Sequence, residues 1–132
     1  DLLLGLFEIM ETEKLDYTNT FRELSKIISS PNNFNLSEKF SIWLASYKDR
    51  LSKDENSIEE SKILMDKNNP KYILRNYLAQ LAIEDAEQGK AEKIDELAKV
   101  LSNPFDDLGK SMEKFCQPAP KGQQNQQLSC SS

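Results

Sequence analysis

The stretch from Pro70 to Gly89, PKYILRNYLAQLAIEDAEQG, constrains this chain more than any other. Proline at a first helical position loses nothing, because that amide has no intrahelical acceptor. Glycine just past the last position takes the left-handed turn that ends a helix. The pattern predicts one helix over the whole stretch. Tyr72, Ile73, Leu74, Tyr77, Leu78, Leu81 and Ile83 cover more than one face of it, so its first half is expected to be buried on several sides. Such a helix needs partners, and the rest of the chain supplies only helices: no strand-like alternation of useful length occurs.

Residues 1–13 set Leu2, Leu3, Leu6, Phe7 and Met10 near i, i+3, i+4 spacing. Residues 17–29 do the same with Tyr17, Phe21, Leu24, Ile27 and Ile28, until Pro31 stops the ladder. These two segments are expected to form a helical hairpin. Asn35, with Glu38 three residues on, reads as the N-cap of a third helix that carries Phe40, Trp43, Leu44, Tyr47 and Leu51 on one face. Ser57 with Glu60 is a second capping-box pattern, opening a short helix with Ile58, Ile63 and Leu64 as its apolar contacts. A last helix over 91–101 places Ile94, Leu97, Ala98 and Leu101 on one side and ends before Pro104. The expectation is an all-α fold of about six helices over residues 1–107, followed by a flexible tail over 108–132 with few apolar anchors.

Composition removes several functions. A formal charge of −5 argues against nucleic acid or an anionic membrane as the main partner, because phosphates are bound by basic patches. No run reaches the roughly 18 apolar residues that would span a bilayer, and DLLLGLFEIM is interrupted by Glu8 and lacks the basic start of a signal peptide. The chain has no His, which removes the commonest general base and the commonest zinc ligand. The four Gly are unclustered and no Gly-Lys-Ser/Thr occurs, so there is no phosphate-cradling loop. Neither a metal nor a nucleotide is expected to be bound by these residues, and catalysis by them alone is not expected. Asp1 stands where an initiator Met would, with LLLGLF following at once, which reads as a piece of something larger.

Few candidates for chemistry remain. Glu84, Asp85, Glu87, Glu92, Asp95, Glu96, Asp106 and Asp107 crowd one region, but their spacing scatters them around helix exteriors, where carboxylates are merely solvated. Arg75 and Asn76 lie within the most apolar helix and must be hydrogen-bonded if buried, to an acid or to loop carbonyls, with anion binding as the other use. Trp43, Tyr47, Tyr72 and Tyr77 read as core or interface. The two cysteines, Cys116 and Cys130, make no disulfide framework and favour a reducing compartment. Cys116 is either a semi-buried thiol or a reactive one. Cys130, in LSCSS, has only Leu128 nearby as an apolar neighbour and is either incidental or reactive.

Taken together, NPKYILRNYLAQLAIEDAEQG, LAKVLSNPFDD and a polar tail closing in SCSS resemble the C-terminal part of the selenoprotein O family, also called YdiU. DYTNTFREL is similar to the region that precedes it, so the resemblance spans nearly the whole chain, most loosely over 31–66. The resemblance implies the helical C-terminal region of a protein-kinase-like enzyme, a former pseudokinase. Such an enzyme transfers AMP from ATP to Ser, Thr or Tyr of protein substrates with Mg or Mn. The ATP- and metal-holding residues would lie upstream, and none of the present residues is carried over as catalytic, cofactor-binding or metal-binding. Cys130 matches the antepenultimate position, where the family places a cysteine or selenocysteine, and is implied to be a redox residue that pairs with a thiol of the kinase-like domain. The fragment is implied to pack on that domain. The compartment would be cytoplasmic in a bacterium and mitochondrial in a eukaryote. The alternative is a stand-alone helical module that binds a protein partner without catalysis. A small thiol oxidoreductase is disfavoured, because neither cysteine lies in a C-x-x-C pair.

Overall fold

The computed structural model describes residues 1–120. Among them lie six α-helices, two 3-10 segments and no strand. The fold is all-α, as the periodicity predicts, and no helix is long and apolar enough to cross a membrane among the described residues. The chain divides into two compact units, Asp1–Asn69 and Pro70–Ser132.

In the first unit, α1 (Leu2–Glu13) starts where the Asp1 carboxylate accepts from the Leu3 amide at 3.0 Å, and ends at Lys14 in the left-handed region. Asp16 accepts from the Asn19 amide at 2.9 Å and opens α2 (Tyr17–Ser29), which Ser30 and Pro31 end in a 3-10 turn. The third helix, α3 (Glu38–Leu51), is capped by Ser37 and not by Asn35. The Ser37 hydroxyl accepts from the Phe40 amide at 3.1 Å and donates to the Glu13 carboxylate at 2.7 Å, so a tie to α1 selects the later of two competent caps. The capping box of Ser57 and Glu60 forms as read and opens α4 (Ile58–Asn68).

Packing in this unit differs from a simple hairpin of α1 and α2. The strongest pairings are α1 with α3 and α2 with α4, while α1 and α2 meet through the rings of Phe7, Tyr17 and Phe21. The core holds Leu6, Ile9, Met10, Leu24, Ile27, Ile28, Phe40, Trp43 and Leu44. Trp43 Nε1 donates to the Leu2 carbonyl at 2.8 Å, which satisfies the one polar atom of that ring. On α4 the expected contacts Ile58, Ile63 and Leu64 are exposed, and Ser61 is the buried residue instead. The reason lies on α2: Arg22 donates to the carbonyls of Asp66 and Asn69 at 2.9 and 3.0 Å, and Ser25 donates to the Asp66 carboxylate at 2.6 Å. These polar ties turn the Ser61 side of α4 inward.

The second unit corrects the reading of its opening stretch. Residues 71–75 are not helical, and α5 runs only over Asn76–Glu87. The amides of Lys71 and Tyr72 donate to the carbonyl of Pro104, at 2.7 and 3.3 Å, which ties this run to a residue more than thirty positions away. The other end holds as predicted: Gly89 sits at φ 81°, its amide donates to Ala86 and the Lys90 amide to Asp85, the paired bonds that close a helix on glycine. After α6 (Glu92–Ser102) the chain does not leave the fold at Asp107. A 3-10 segment over Lys110–Phe115 follows, and Met112, Phe115 and Cys116 join Tyr72, Tyr77, Leu78, Ala82, Leu97 and Val100 in one core. The boundary expected between Asp107 and Leu108 is therefore replaced by packing that continues to Cys116. Cys130 lies outside the described residues.

Candidate functional site

A group of polar side chains in the second unit gathers where the non-helical run 71–75 meets the last 3-10 segment. Lys71 is 8% exposed, and its ammonium donates to Asp107 at 2.9 Å and to Glu113. Its Nζ also stands 5.7 Å from the ring centre of Tyr72. Burial pushes this lysine toward neutrality, but the hydrogen bonds to Glu113 and Asp107 more than offset that, and its pKa ends above its usual value. Glu113 moves the opposite way: its bond with Lys71 outweighs burial and holds its carboxyl below the usual range. Both groups are thus fixed in their charged forms.

Three further contacts frame this group. The Tyr72 hydroxyl accepts from the Leu108 amide at 3.1 Å, and the Tyr77 hydroxyl donates to the Gln117 carbonyl. Arg75, 2% exposed, reaches the Cys116 carbonyl from Nη2 at 3.5 Å. The loop carbonyl expected as an Arg75 partner is thus found, although Arg75 precedes α5 and does not lie within it. Asn76 is the first residue of that helix and is half-buried.

Cys116 is the one thiol among the described residues. Its Sγ donates to the Glu113 carbonyl at 3.2 Å and to the Glu113 carboxylate at 3.3 Å. Burial first, and then the adjacent Glu113, push its pKa up to about 11. A thiol held neutral in this way is a poor nucleophile, so the packed alternative holds for Cys116. Tyr47 is likewise raised, by burial and then by Asp54, and gains no acidity. Glu84, Asp85, Glu87, Glu92, Asp95 and Glu96 stay on helix exteriors, with Asp85 paired to Lys93 at 3.2 Å and Glu96 to Lys114 at 3.4 Å, whereas Asp106 and Asp107 lie in the loop after α6 and Asp107 is drawn onto the buried Lys71. Trp43, Tyr72 and Tyr77 are buried and Tyr47 is half-buried, in agreement with a core role.

What this group can do chemically is hold a chain segment in place. Its carboxylates neutralise a buried cation, its hydroxyls satisfy backbone groups, and the one thiol that meets a carboxylate, Cys116 on Glu113, is buried and held neutral. Among the described residues no three His, Cys, Asp or Glu side chains come together where a metal could be held. Sequence reasoning missed Lys71, Asp107 and Glu113 as a unit. The available signal was a lysine in the apolar run YIL and its neighbours, but nothing local to Lys71 points to a partner forty-two residues away.

A comparison with known proteins places the chain. The family model for "Protein adenylyltransferase SelO" matches residues 1–102. The "Protein nucleotidyltransferase YdiU" of Pectobacterium atrosepticum is 38% identical over 138 residues, covering 100% of this chain and 28% of its own length. That of Photobacterium profundum is 38% identical over 150 residues, covering 99% of this chain and 29% of the relative. That of Stutzerimonas stutzeri is 37% identical over 138 residues, with 100% and 28% covered. The chain thus spans little more than a quarter of these relatives, and over that span it belongs to the SelO/YdiU family of nucleotidyltransferases.

Proposed function

We propose that this chain is the helical C-terminal region of a protein adenylyltransferase that moves AMP from ATP to Ser, Thr or Tyr hydroxyls of protein substrates, with Mg or Mn as the metal. The observation that carries the proposal is the match of the entire chain to relatives named for nucleotidyl transfer, together with the SelO family model over residues 1–102. The residues present do not fit ATP or its metal: the sequence has no glycine-rich loop, and no cluster of metal-ligating side chains occurs among the described residues. Nucleotide and metal are therefore assigned to a kinase-like portion of the protein outside this chain. The part played by the present residues is structural, through the two cores and the Lys71 ion-pair group.

Cys130 is assigned a redox role within the same proposal. Its position in LSCSS supports this, as does the burial of Cys116, which leaves that thiol unsuited to the task. The Cys130 thiol and a second thiol outside the chain would each lose a proton and together lose two electrons to a disulfide or peroxide oxidant, forming one S–S bond.

The test joins this chain to the remainder of its protein and measures transfer of labelled AMP onto protein. Transfer is expected, and its absence from correctly folded protein sinks the assignment. For the switch, Cys130→Ser is expected to abolish the response of that transfer to reductant. An unchanged response discards the redox role alone.

A further inference from the structure

We infer that the groove between α1 and α3 seats an apolar segment from the portion of the protein outside this chain, an inference that rests on the family reading above. Gly5, Glu8, Ile9 and Thr12 of α1 and Lys39, Ile42 and Trp43 of α3 line it, around a volume of about 370 Å³. Ile42, at its lip, is 64% exposed, and Leu4, one turn before Glu8 on the same side of α1, is 60% exposed. Large aliphatic side chains beside a concave floor are a costly surface to leave in water. The floor is kept low by Gly5, which offers no side chain and whose Cβ would meet Trp43 Cδ1 at 3.3 Å. A glycine inside a helix sacrifices helix propensity, and here the close approach to Trp43 accounts for it.

The chemistry of the groove and the length of its relatives select the occupant. Glu8 on one wall and Lys39 on the other cancel in charge, so recognition falls to the apolar surface of Ile9, Ile42 and Trp43. The entire chain aligns within 28% of each Pectobacterium relative, so most of such a protein lies outside it. Covalent continuity gives those residues a high effective concentration at the groove. A second copy is a poorer occupant, because two chains of charge −5 repel each other.

The test uses the full-length protein carrying Ile42→Cys, with Lys53→Cys as a separate control for an exposed position, and follows maleimide labelling of each site by peptide mass spectrometry. Position 42 is expected to label at least about ten-fold more slowly than position 53. Leu4→Cys, read in the same way, guards against a local defect at position 42. Equal labelling at 4, 42 and 53 overturns the inference, and so does protection that grows with protein concentration, which would indicate a second copy. The readout is independent of AMP transfer: rapid labelling with transfer intact removes the docking inference alone, and slow labelling without transfer removes the enzymatic reading alone.

Discussion

The ammonium of Lys71 donates to the carboxylate of Glu113, forty-two residues along the chain, and in doing so ties the first residues of the second unit to its last 3-10 segment. The cation is buried and the anion is half in water, so the bond matters more to Lys71 than to Glu113. Loss of the carboxylate leaves Asp107 as the remaining counter-charge.

Glu113→Gln is accordingly expected to destabilise the second unit by about 1 kcal/mol, with solvent screening at Glu113 and the surviving Asp107 contact keeping the cost modest. Amide exchange of Leu108, Met112 and Cys116 is the measurement. It should accelerate there while the amides of α2 remain unchanged. Equal exchange in the variant and the parent would show that the ion pair holds nothing in place.

The same bond sets an acid limit. Glu113 titrates lower in the folded chain than its unfolded value of 4.5, so its contribution is complete above that value and is lost as pH falls through the lower folded one. The urea midpoint of the second unit should therefore drop on acidification below about pH 4.5, and less steeply in Glu113→Gln. Parallel acid limbs would contradict this.

Cys116 sets the alkaline limit. Its thiol ionises near 9.0 when unfolded and near about 11 when folded, so between those values the unfolded chain releases a proton that the folded chain retains. Stability then falls as pH rises across that window, by an amount on the order of 2 kcal/mol. Cys116→Ala should flatten the alkaline limb, at the expense of a small cavity. Below pH 9.0 the native thiol should also resist maleimide until urea opens the unit.

Helix starts offer a comparison within one unit. Ser57→Ala and Ser37→Ala should each cost about 1 kcal/mol, the second slightly more because the bond to Glu13 goes as well. Asn35→Ala should cost almost nothing, since Asn35 caps no helix. Trp43 fluorescence during urea unfolding reports all three, as it lies in the core of that unit. A large loss from Asn35→Ala would overturn the assigned start of α3.

These differences show what the sequence could convey. The capping box of Ser57 and Glu60 and the glycine stop at Gly89 are settled by neighbours within a few residues, and both were legible. Asn35 and Ser37 are each competent caps, and the choice rests on Glu13, more than twenty residues earlier. Pro70 carries a sound helix-start signal, yet the helix begins only at Asn76 and the amides of Lys71 and Tyr72 are held by the distant Pro104 carbonyl, a partner that no local pattern announces. The apolar stripe expected on α4 yielded to polar ties from Arg22 and Ser25, which periodicity cannot register. For the candidate site, Arg75 was legible as a residue in need of a partner. The Lys71 group was not, because its members are joined only by the folded path.

The family model ends at Ser102, yet the second core is completed by Met112, Phe115 and Cys116. The span of the family model and physical closure therefore stop at different residues, although the relatives align over the whole chain. A polypeptide emerging from the ribosome can wind α5 and α6 early, but Tyr72 and Val100 are sealed from water only once the chain has been made through Cys116. A premature stop between those two boundaries would keep every residue the family model matches and still release a protein with an open core, suited to degradation rather than to assembly.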